Sequence, residues 1–463
     1  QHGMRHHPGH GARPVKAGGT VHRRQRIARR HARTRPAIHR HRAVIVEPAD
    51  HLGPHDEPGR RDGAKRNHVA GAIANMNLIE CRQIGAIGGF GLDTVNGGAG
   101  DDTIYGGADA DLLSGGDGND KLTGNAANDT INVACIGVGG RCRKLMESLR
   151  TIPGVKITTL CDIWDHPIGL AKPLADDKAK ISKDWQEVLD DKEIDAVLIG
   201  TPDHWHAPLT LAACEAGKDV YVEKPLTHDL SEGAALLKAA TDSRQIVQVG
   251  MQQRSMPHII EARDLIQSGH IGRVVRVHLS WNRNQDRFKR NIPALDFKSV
   301  EWNKFLGNAP EQPFDEYRML NWRWFWDFGG GIFTDLMVHW IDVAHWILNV
   351  DHPEQAVSIG QHINAEGLWE TPDAVQTLLT YAGNIQMHFE GMFSNARNGS
   401  RIEFQGTEAS IHIDRGGYQV IPERKSKVPA SEMILGSGPR GADFYDKPDG
   451  ELIHLTNWID CIR

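Results

Sequence analysis

The sequence predicts an α/β domain on a parallel sheet, then an α+β domain with an open, mostly antiparallel sheet, preceded by short β-roll repeats. Three observations predict this. From Asn132 to about Met251, short apolar runs alternate with helical stretches, as in parallel strands joined by crossover helices. From about residue 271 the apolar runs lengthen and are joined by turn residues, as antiparallel strands are. Before residue 132, glycine pairs recur every nine residues with an aspartate at a fixed place.

At 463 residues the chain exceeds one ordinary core. We divide it at 1–87, 88–131, 132–255 and 256–463. Residues 1–87 hold 17 Lys+Arg against 6 Asp+Glu and eleven of the 25 histidines, with almost no periodic apolar pattern. They read as a disordered basic tail, since the histidine spacing is too irregular for a metal tract. The whole chain carries −6, so the remainder carries −17, which argues against a nucleic-acid partner for the folded part. None of the six cysteines forms a CxxC pair, and buried free thiols suit a reducing, cytoplasmic setting. Working repeats would instead point outside the cell. No segment has the length of a membrane span, so no membrane partner is expected. Gln1 is not Met, and the chain stops at Arg463 inside an apparently helical run, which reads as a fragment cut at both ends.

Residues 88–132 read GGFGLDTVN, GGAGDDTIY, GGADADLLS, GGDGNDKLT and GNAANDTIN. Position six holds Asp93, Asp102, Asp111, Asp120 and Asp129; position eight holds Val95, Ile104, Leu113, Leu122 and Ile131. Glycines permit the tight turns, aspartates offer hard oxygen ligands to Ca²⁺, and the aliphatics form a thin core. The run resembles the RTX calcium-binding nonapeptide, with those five aspartates as the Ca²⁺ ligands. Asp109, Asn125 and Ala127 depart from its glycine positions.

In the parallel region the strand candidates are NVACIGV, VKITTLCD, AVLIGTP, DVYVEKP and IVQVGMQ. The first breaks into Gly137, Gly139, Gly140 and Arg141 and turns helical, which is how a strand delivers a dinucleotide pyrophosphate to a helix N-terminus. Cys142 takes the third glycine position. Asp162 ends the next strand, where it can accept both ribose hydroxyls. No Arg or Lys follows it to greet a 2′-phosphate, so NAD is favoured over NADP. Thr201, Pro202, His204 and His206 follow the third strand on the same ligand edge and can line the nicotinamide ribose. Asp203, His204 and His206 are too bunched for a metal.

Glu223, Lys224 and Pro225 follow the strand VYV, and a lysine desolvated beside a cofactor can donate or accept a proton. In the antiparallel region one long helix, about Ile332–Leu348, opens on Gly329-Gly330-Gly331. Asp335 and His339 stand four apart, on one helical face, suited to moving a polyol hydroxyl proton. Trp281, Trp302, Trp322, Trp324 and Trp326, with Arg283, Arg318 and Arg323, suit saccharides and their acidic derivatives. Turns are expected at Gly383-Asn384 and Gly406-Thr407.

From about 132 to 463 the chain resembles the glucose–fructose oxidoreductase / inositol dehydrogenase (Gfo/Idh/MocA) family. The resemblance rests on CIGVGGRC, Asp162, TPDHWHAP, the EKP at Glu223–Pro225 and GGGIFTDLMVHWID. It implies a Rossmann domain, a C-terminal open sheet that often forms a subunit interface in a homo-oligomer, and NAD(P)-dependent oxidation or reduction of a sugar or cyclitol. Lys224 maps to the family's catalytic lysine, and Asp335 and His339 to its D-x-x-x-H pair. One rival reading is an NAD-dependent glycoside hydrolase of the same family, but that branch has Thr-His where this chain has Thr334-Asp335. The other is a secreted calcium-binding protein with an inert Rossmann domain.

Overall fold

A computed structural model describes residues 130–284, 294–435 and 450–463, with the backbone of six short strands between Ile79 and Thr123. All of these belong to one compact unit, Arg66–Arg463.

The short strands come first. Ile79–Glu80, Thr94–Asn96 and Leu112–Ser114 form one parallel sheet, and Ala86–Ile87, Thr103–Tyr105 and Lys121–Thr123 form another. Strands pair with the next but one in the chain, two repeats on within the nonapeptide run, as in Val95 opposite Leu113 and Ile104 opposite Leu122. Two strands lie before residue 88, so the roll begins inside the stretch read as tail. Residues 79–87 lack the Gly/Asp spacing, so nothing in their sequence marks them as coils of the roll. The fifth repeat is the second departure. Its Ile131 is buried and opens the first strand of the next sheet instead of a further coil. Asp93, Asp102, Asp111, Asp120 and Asp129 lie outside the described residues, as does the basic stretch up to residue 78.

The parallel sheet contains β1 (Ile131–Ile136), β2 (Val155–Cys161), β3 (Lys180–Ser182), β4 (Ala196–Ile199), β5 (Asp219–Val222) and β6 (Val247–Val249). Their order is β6-β5-β4-β1-β2-β3, all parallel, the doubly wound arrangement. All four side chains of β4 are buried, because helices cover both faces; that is why these strands read as unbroken apolar runs. The first helix, α1 (Gly140–Leu149), buries Cys142, Leu145, Met146 and Leu149, one stripe at helical spacing. It is followed by α2 (Asp165–Ala171), α3 (Trp185–Asp190), α4 (His206–Glu215), α5 (Glu232–Asp242) and α6 (Pro257–Gln267).

The second sheet contains β7 (Val274–Asn282), β8 (Gln355–Gln361), β9 (Ala374–Tyr381), β10 (Ile385–Met392), β11 (Ser400–Gly406), β12 (Ala409–Asp414), β13 (Gly417–Pro422) and β14 (Ser431–Ile434). Short helices α7 (Trp302–Leu306) and α8 (Glu316–Leu320) and the longer α9 (Val338–Leu348) join β7 to β8. The order is β8-β9-β10-β7-β11-β12-β13-β14, antiparallel except for β7 beside β10. That parallel pair is not legible in the sequence, since period-two burial is the same in either strand sense. In β9, Val375, Thr377, Leu379 and Tyr381 point inward. Gly383 and Asn384 both take positive φ, 81° and 59°, and close the β9–β10 hairpin.

Two local findings shape the site. The helix expected over Ile332–Leu348 opens on a wide π turn, Phe333–Met337, before α9 begins. The final helix, α10 (Gly450–Ile462), returns to the parallel sheet: Leu455, Trp458 and Ile459 are buried against Tyr221, Leu145 and Met146. A division at 256 places α10 in the second domain, whereas its packing is on the first. Linear order does not reveal which core a terminal helix will cover.

Candidate active site

The strands of the parallel sheet deliver their C-terminal ends to a cavity of about 760 Å³. At the end of β1, Gly137 has φ +76°, and a Cβ there would lie 2.6 Å from Thr201 Cγ2, so only glycine fits. At Gly139 and Gly140 a Cβ would meet nothing within 4 Å, so the space before the α1 N-terminus is open. Backbone N–H groups at such an end suit a pyrophosphate. Cys142 fills the third glycine position because the opposing strand gives way instead: a Cβ on Gly200 would come 2.7 Å from Cys142 Cβ.

Asp162 lines the cavity just beyond β2 and accepts the Trp164 N–H at 3.1 Å. Burial pushes its carboxyl up to about 7, against the opposing pull of backbone N–H groups and Arg143. Thr201 and Pro202 line the cavity beyond β4, with Trp205. His206 also lines it, but both ring nitrogens face backbone carbonyls, Nδ1 to Pro225 at 2.6 Å and Nε2 to Thr201 at 2.9 Å. It ties the β4 loop to the β5 loop. His204 is not in the wall. Its ring is buried beside Phe328, with Nε2 2.8 Å from the Phe305 carbonyl oxygen, because the turn after Pro202 points it at the second domain. A role for His204 in lining the nicotinamide ribose is therefore corrected.

Arg141 carries a signal that the glycine motif does not foretell. Its Nε lies 2.8 Å from Glu223 Oε1, and its Nη1 pairs with Glu451 from α10. Burial would lower the Arg141 pKa, but the two carboxylates outweigh it and hold the guanidinium charged. Burial likewise opposes the Glu223 carboxylate, and Arg141 and Lys224 together more than offset it. Gln252 Nε2 donates to the same Glu223 oxygen at 3.1 Å.

Lys224 follows Glu223 and points the other way. Its Nζ lies 3.3 Å from Asp335 Oδ1, 3.1 Å from the Asp335 carbonyl oxygen and 3.5 Å from that of Thr334. Arg323 Nε reaches the same Asp335 Oδ1 at 3.2 Å. Burial would raise the Asp335 carboxyl, but Lys224, Arg323 and Arg283 hold it well below the usual carboxylate range. No hydrogen bond joins Asp335 to His339, although the two act on each other electrostatically. His339 Nδ1 lies 3.2 Å from Gln253 Oε1, and burial together with Lys224 holds the ring far below its ordinary pKa. With an amide oxygen at Nδ1, the proton sits there and Nε2 is the basic nitrogen.

The opposite wall holds Trp281, Arg283, Trp322, Arg323, Trp324 and Arg415. Arg318 is not part of it, being paired with Asp327 and Glu370. Trp302 stacks on Phe305 away from the cavity, and Trp326 is half exposed outside it. Sequence reading missed Arg143, Gln252, Gln253, Arg415 and Glu451. The two glutamines follow β6 on the same ligand edge and were findable by that rule; the other three carry no local signal. Among the described residues no group of His, Cys, Asp or Glu is placed to hold a metal ion, and no helix is long and apolar enough to cross a membrane.

Comparison with known proteins agrees with this geometry. Residues 131–251 match the family described as the GFO/IDH/MocA oxidoreductase family, NAD-binding Rossmann fold, and residues 304–412 match the GFO/IDH/MocA C-terminal domain. Residues 87–122 and 109–133 match the RTX calcium-binding nonapeptide repeat. The chain is 27% identical over 345 residues to scyllo-inositol 2-dehydrogenase (NAD(+)) of Bacillus subtilis (strain 168), covering 72% of this chain and 86% of that protein. It is 23% identical over 322 residues to inositol 2-dehydrogenase of Salmonella typhimurium, covering 68% and 83%. Its fold is similar to that of levoglucosan dehydrogenase in complex with NADH and levoglucosan, with a TM-score of 0.56, 21% identity, and 72% and 90% of the two chains covered.

Proposed function

We propose that this chain, which carries both domains of the GFO/IDH/MocA oxidoreductases, is an NAD-dependent dehydrogenase acting on a CH–OH group of a sugar or cyclitol. The observation that supports it best is convergence. Lys224, Asp335 and His339 face one cavity with the open α1 N-terminus and Asp162. Gly137, Gly139 and Gly140 would cradle the pyrophosphate, and Asp162 would accept the adenosine ribose hydroxyls. Thr201, Pro202 and Trp205 would line the nicotinamide side. Arg141 and Glu223 brace that wall. When bound, the nicotinamide takes up hydride in oxidation and returns it in reduction.

The chain's own groups handle the proton. His339 Nε2 accepts it from the substrate hydroxyl, which a neutral buried imidazole can do at physiological pH. Lys224 Nζ, held by the Asp335 carbonyl and carboxylate, would turn its third N–H to the substrate oxygen as it becomes a carbonyl. Asp335 fixes the Lys224 amine and the Arg323 guanidinium. The buried thiols Cys135, Cys142, Cys161 and Cys214 suit a cytoplasmic enzyme. Val357, Ile359 and Leu378 are exposed on β8 and β9, which supports self-association through that sheet. Light scattering of the eluting protein reads its mass. The test of the function is Lys224→Ala, expected to abolish turnover of an oxidised polyol while NADH binding is kept. A variant with ordinary turnover would refute the assignment.

A further inference from the structure

Arg323 is held more firmly than a surface arginine needs to be. It sits in the tight turn Trp322–Trp324, where its backbone carbonyl accepts the Gly331 N–H at 2.9 Å. Gly329 packs against the same turn, since a Cβ there would come 3.1 Å from Arg323 Cα and 3.2 Å from Trp322 Cζ3. The guanidinium carbon lies 4.2 Å from the centroid of the Trp322 ring, and Nε donates to Asp335 Oδ1 at 3.2 Å. The glycines, the indole and the carboxylate thus fix the plane and one edge of the fork.

The rest of the fork is open. Among the described residues, neither Nη of Arg323 has a hydrogen-bond partner, although the residue lines the cavity and its side chain is 36% exposed. A shared oxygen sets its place there. Lys224 Nζ lies 3.3 Å from the same Asp335 Oδ1, so the fork stands beside the amine that would receive the reacting oxygen. A polyol hydroxyl held at Lys224 therefore brings the oxygen of the adjoining carbon toward Arg323. Asp335 already meets the guanidinium charge, and the Nη groups can donate to neutral hydroxyl oxygens. A fork fixed before binding loses little side-chain entropy, so its hydrogen bonds count toward affinity.

We infer that Arg323 is a substrate-binding residue and that the site selects a vicinal diol. The hydroxyl being oxidised lies at Lys224, and the Nη groups of Arg323 hold the hydroxyl on the neighbouring carbon. The inference rests on the oxidoreductase reading and names a specificity determinant of that site. An alcohol without an oxygen on the neighbouring carbon displaces water from the Nη donors and offers them nothing in return, so it binds more weakly.

The test is calorimetric titration of the NADH-loaded protein with D-glucose, D-xylose and myo-inositol, then with the mono-deoxy analogues of the one that binds best. NADH uptake is read first. A wild type that takes up none fails the oxidoreductase reading, and the polyols are then titrated into the free protein and judged in the same way. Arg323→Lys keeps a cation beside Asp335 and removes the fork; Arg323→Gln removes the charge as well. Both are expected to take up NADH as the wild type does, and to bind the parent polyol about tenfold or more weakly, the size of one charge-assisted contact. One deoxy analogue is expected to bind the wild type just as weakly and to lose nothing further in either variant, because its contact is already missing. Analogues that all weaken as much as the parent does in both variants overturn the inference, since the arginine then only braces Asp335 and Lys224. So does a parent polyol that wild type and variants bind equally, a wild type that binds none of the three polyols, or a loss of NADH uptake in both variants.

Discussion

Replacing Asp162 by asparagine should make the free protein more stable while weakening its hold on the cofactor. Burial lifts this carboxyl from the usual 3.8 to about 7. The folded state therefore keeps a proton that the unfolded chain has lost, and stability falls as pH rises from 3.8 to about 7. At about 1.4 kcal/mol per unit the loss is roughly 4 kcal/mol, complete above neutrality. Asparagine does not ionise, and its amide oxygen can still accept the Trp164 N–H, which now lies 3.1 Å from the carboxylate. Denaturant unfolding of both proteins without cofactor at pH 5, 6, 7 and 8 reads the effect. The advantage of Asp162→Asn should widen by about 1.4 kcal/mol per unit up to pH 7 and then level off.

The same substitution should weaken NAD binding about tenfold or more at pH 8, since a carboxylate accepts hydroxyl hydrogen bonds better than an amide does. Wild-type affinity should itself fall below pH 7, as the carboxyl takes up its proton. NAD should also bind more tightly than NADP, whose 2′-phosphate would meet Asp162 as a like charge. Arg143, within electrostatic reach of Asp162, tempers that preference without reversing it. Unfolding curves whose separation does not change with pH would show that the buried Asp162 carboxyl does not titrate above its ordinary value.

Three further outcomes follow from the same structure. Turnover in the oxidative direction should stay flat from pH 8 to below 6.5, because burial and Lys224 keep His339 neutral there; a midpoint at or above 6.5 that disappears in His339→Gln would contradict its role. Trp458→Ala should cost about 3–5 kcal/mol of stability, as it empties a fully buried place beneath α10, and an unchanged unfolding midpoint would show that α10 does not cover the parallel sheet. Millimolar Ca²⁺, but not Mg²⁺, should protect residues 79–123 of the full chain from proteolysis, since aspartates at every repeat repel one another until a cation with flexible coordination joins them. Equal cleavage with and without Ca²⁺ would make the repeats a linker.

Legibility in the sequence followed the range of the interactions. The Gly137–Arg141 turn, the acid after β2 and the EKP after β5 are local patterns, each fixed by a strand that ends on the ligand edge, and each lies in the cavity wall. His204 was misplaced for a reason of the same kind. A turn puts its residues near the edge without saying which ring faces in, and Trp205 faces in where His204 does not. The π turn at Phe333–Met337 is hidden from a reading that assumes helical spacing throughout. Glu451, Arg415 and the parallel pairing of β7 with β10 depend on contacts across more than a hundred residues, which no local window contains.

Glu223 and Lys224 show how two adjacent residues serve both walls of one cavity. Successive side chains leave an extended strand on opposite sides. Glu223 turns back to Arg141, beside the glycine turn, and so to Glu451 on α10. Lys224 turns forward to Asp335, and so to Arg323 in the second domain. Charge alternates along the whole line, Glu451, Arg141, Glu223, Lys224, Asp335, Arg323, so each buried ion has an opposite neighbour, as buried ions require. A single-residue shift at the end of β5 would exchange the two directions, facing Lys224 toward Arg141 and Glu223 toward Asp335, two like-charge contacts. The line therefore fixes the register of the strand end. It also couples the wall that would hold the cofactor to the residues that would handle the proton. Positioning of the lysine thus depends on α10, more than two hundred residues away in the sequence.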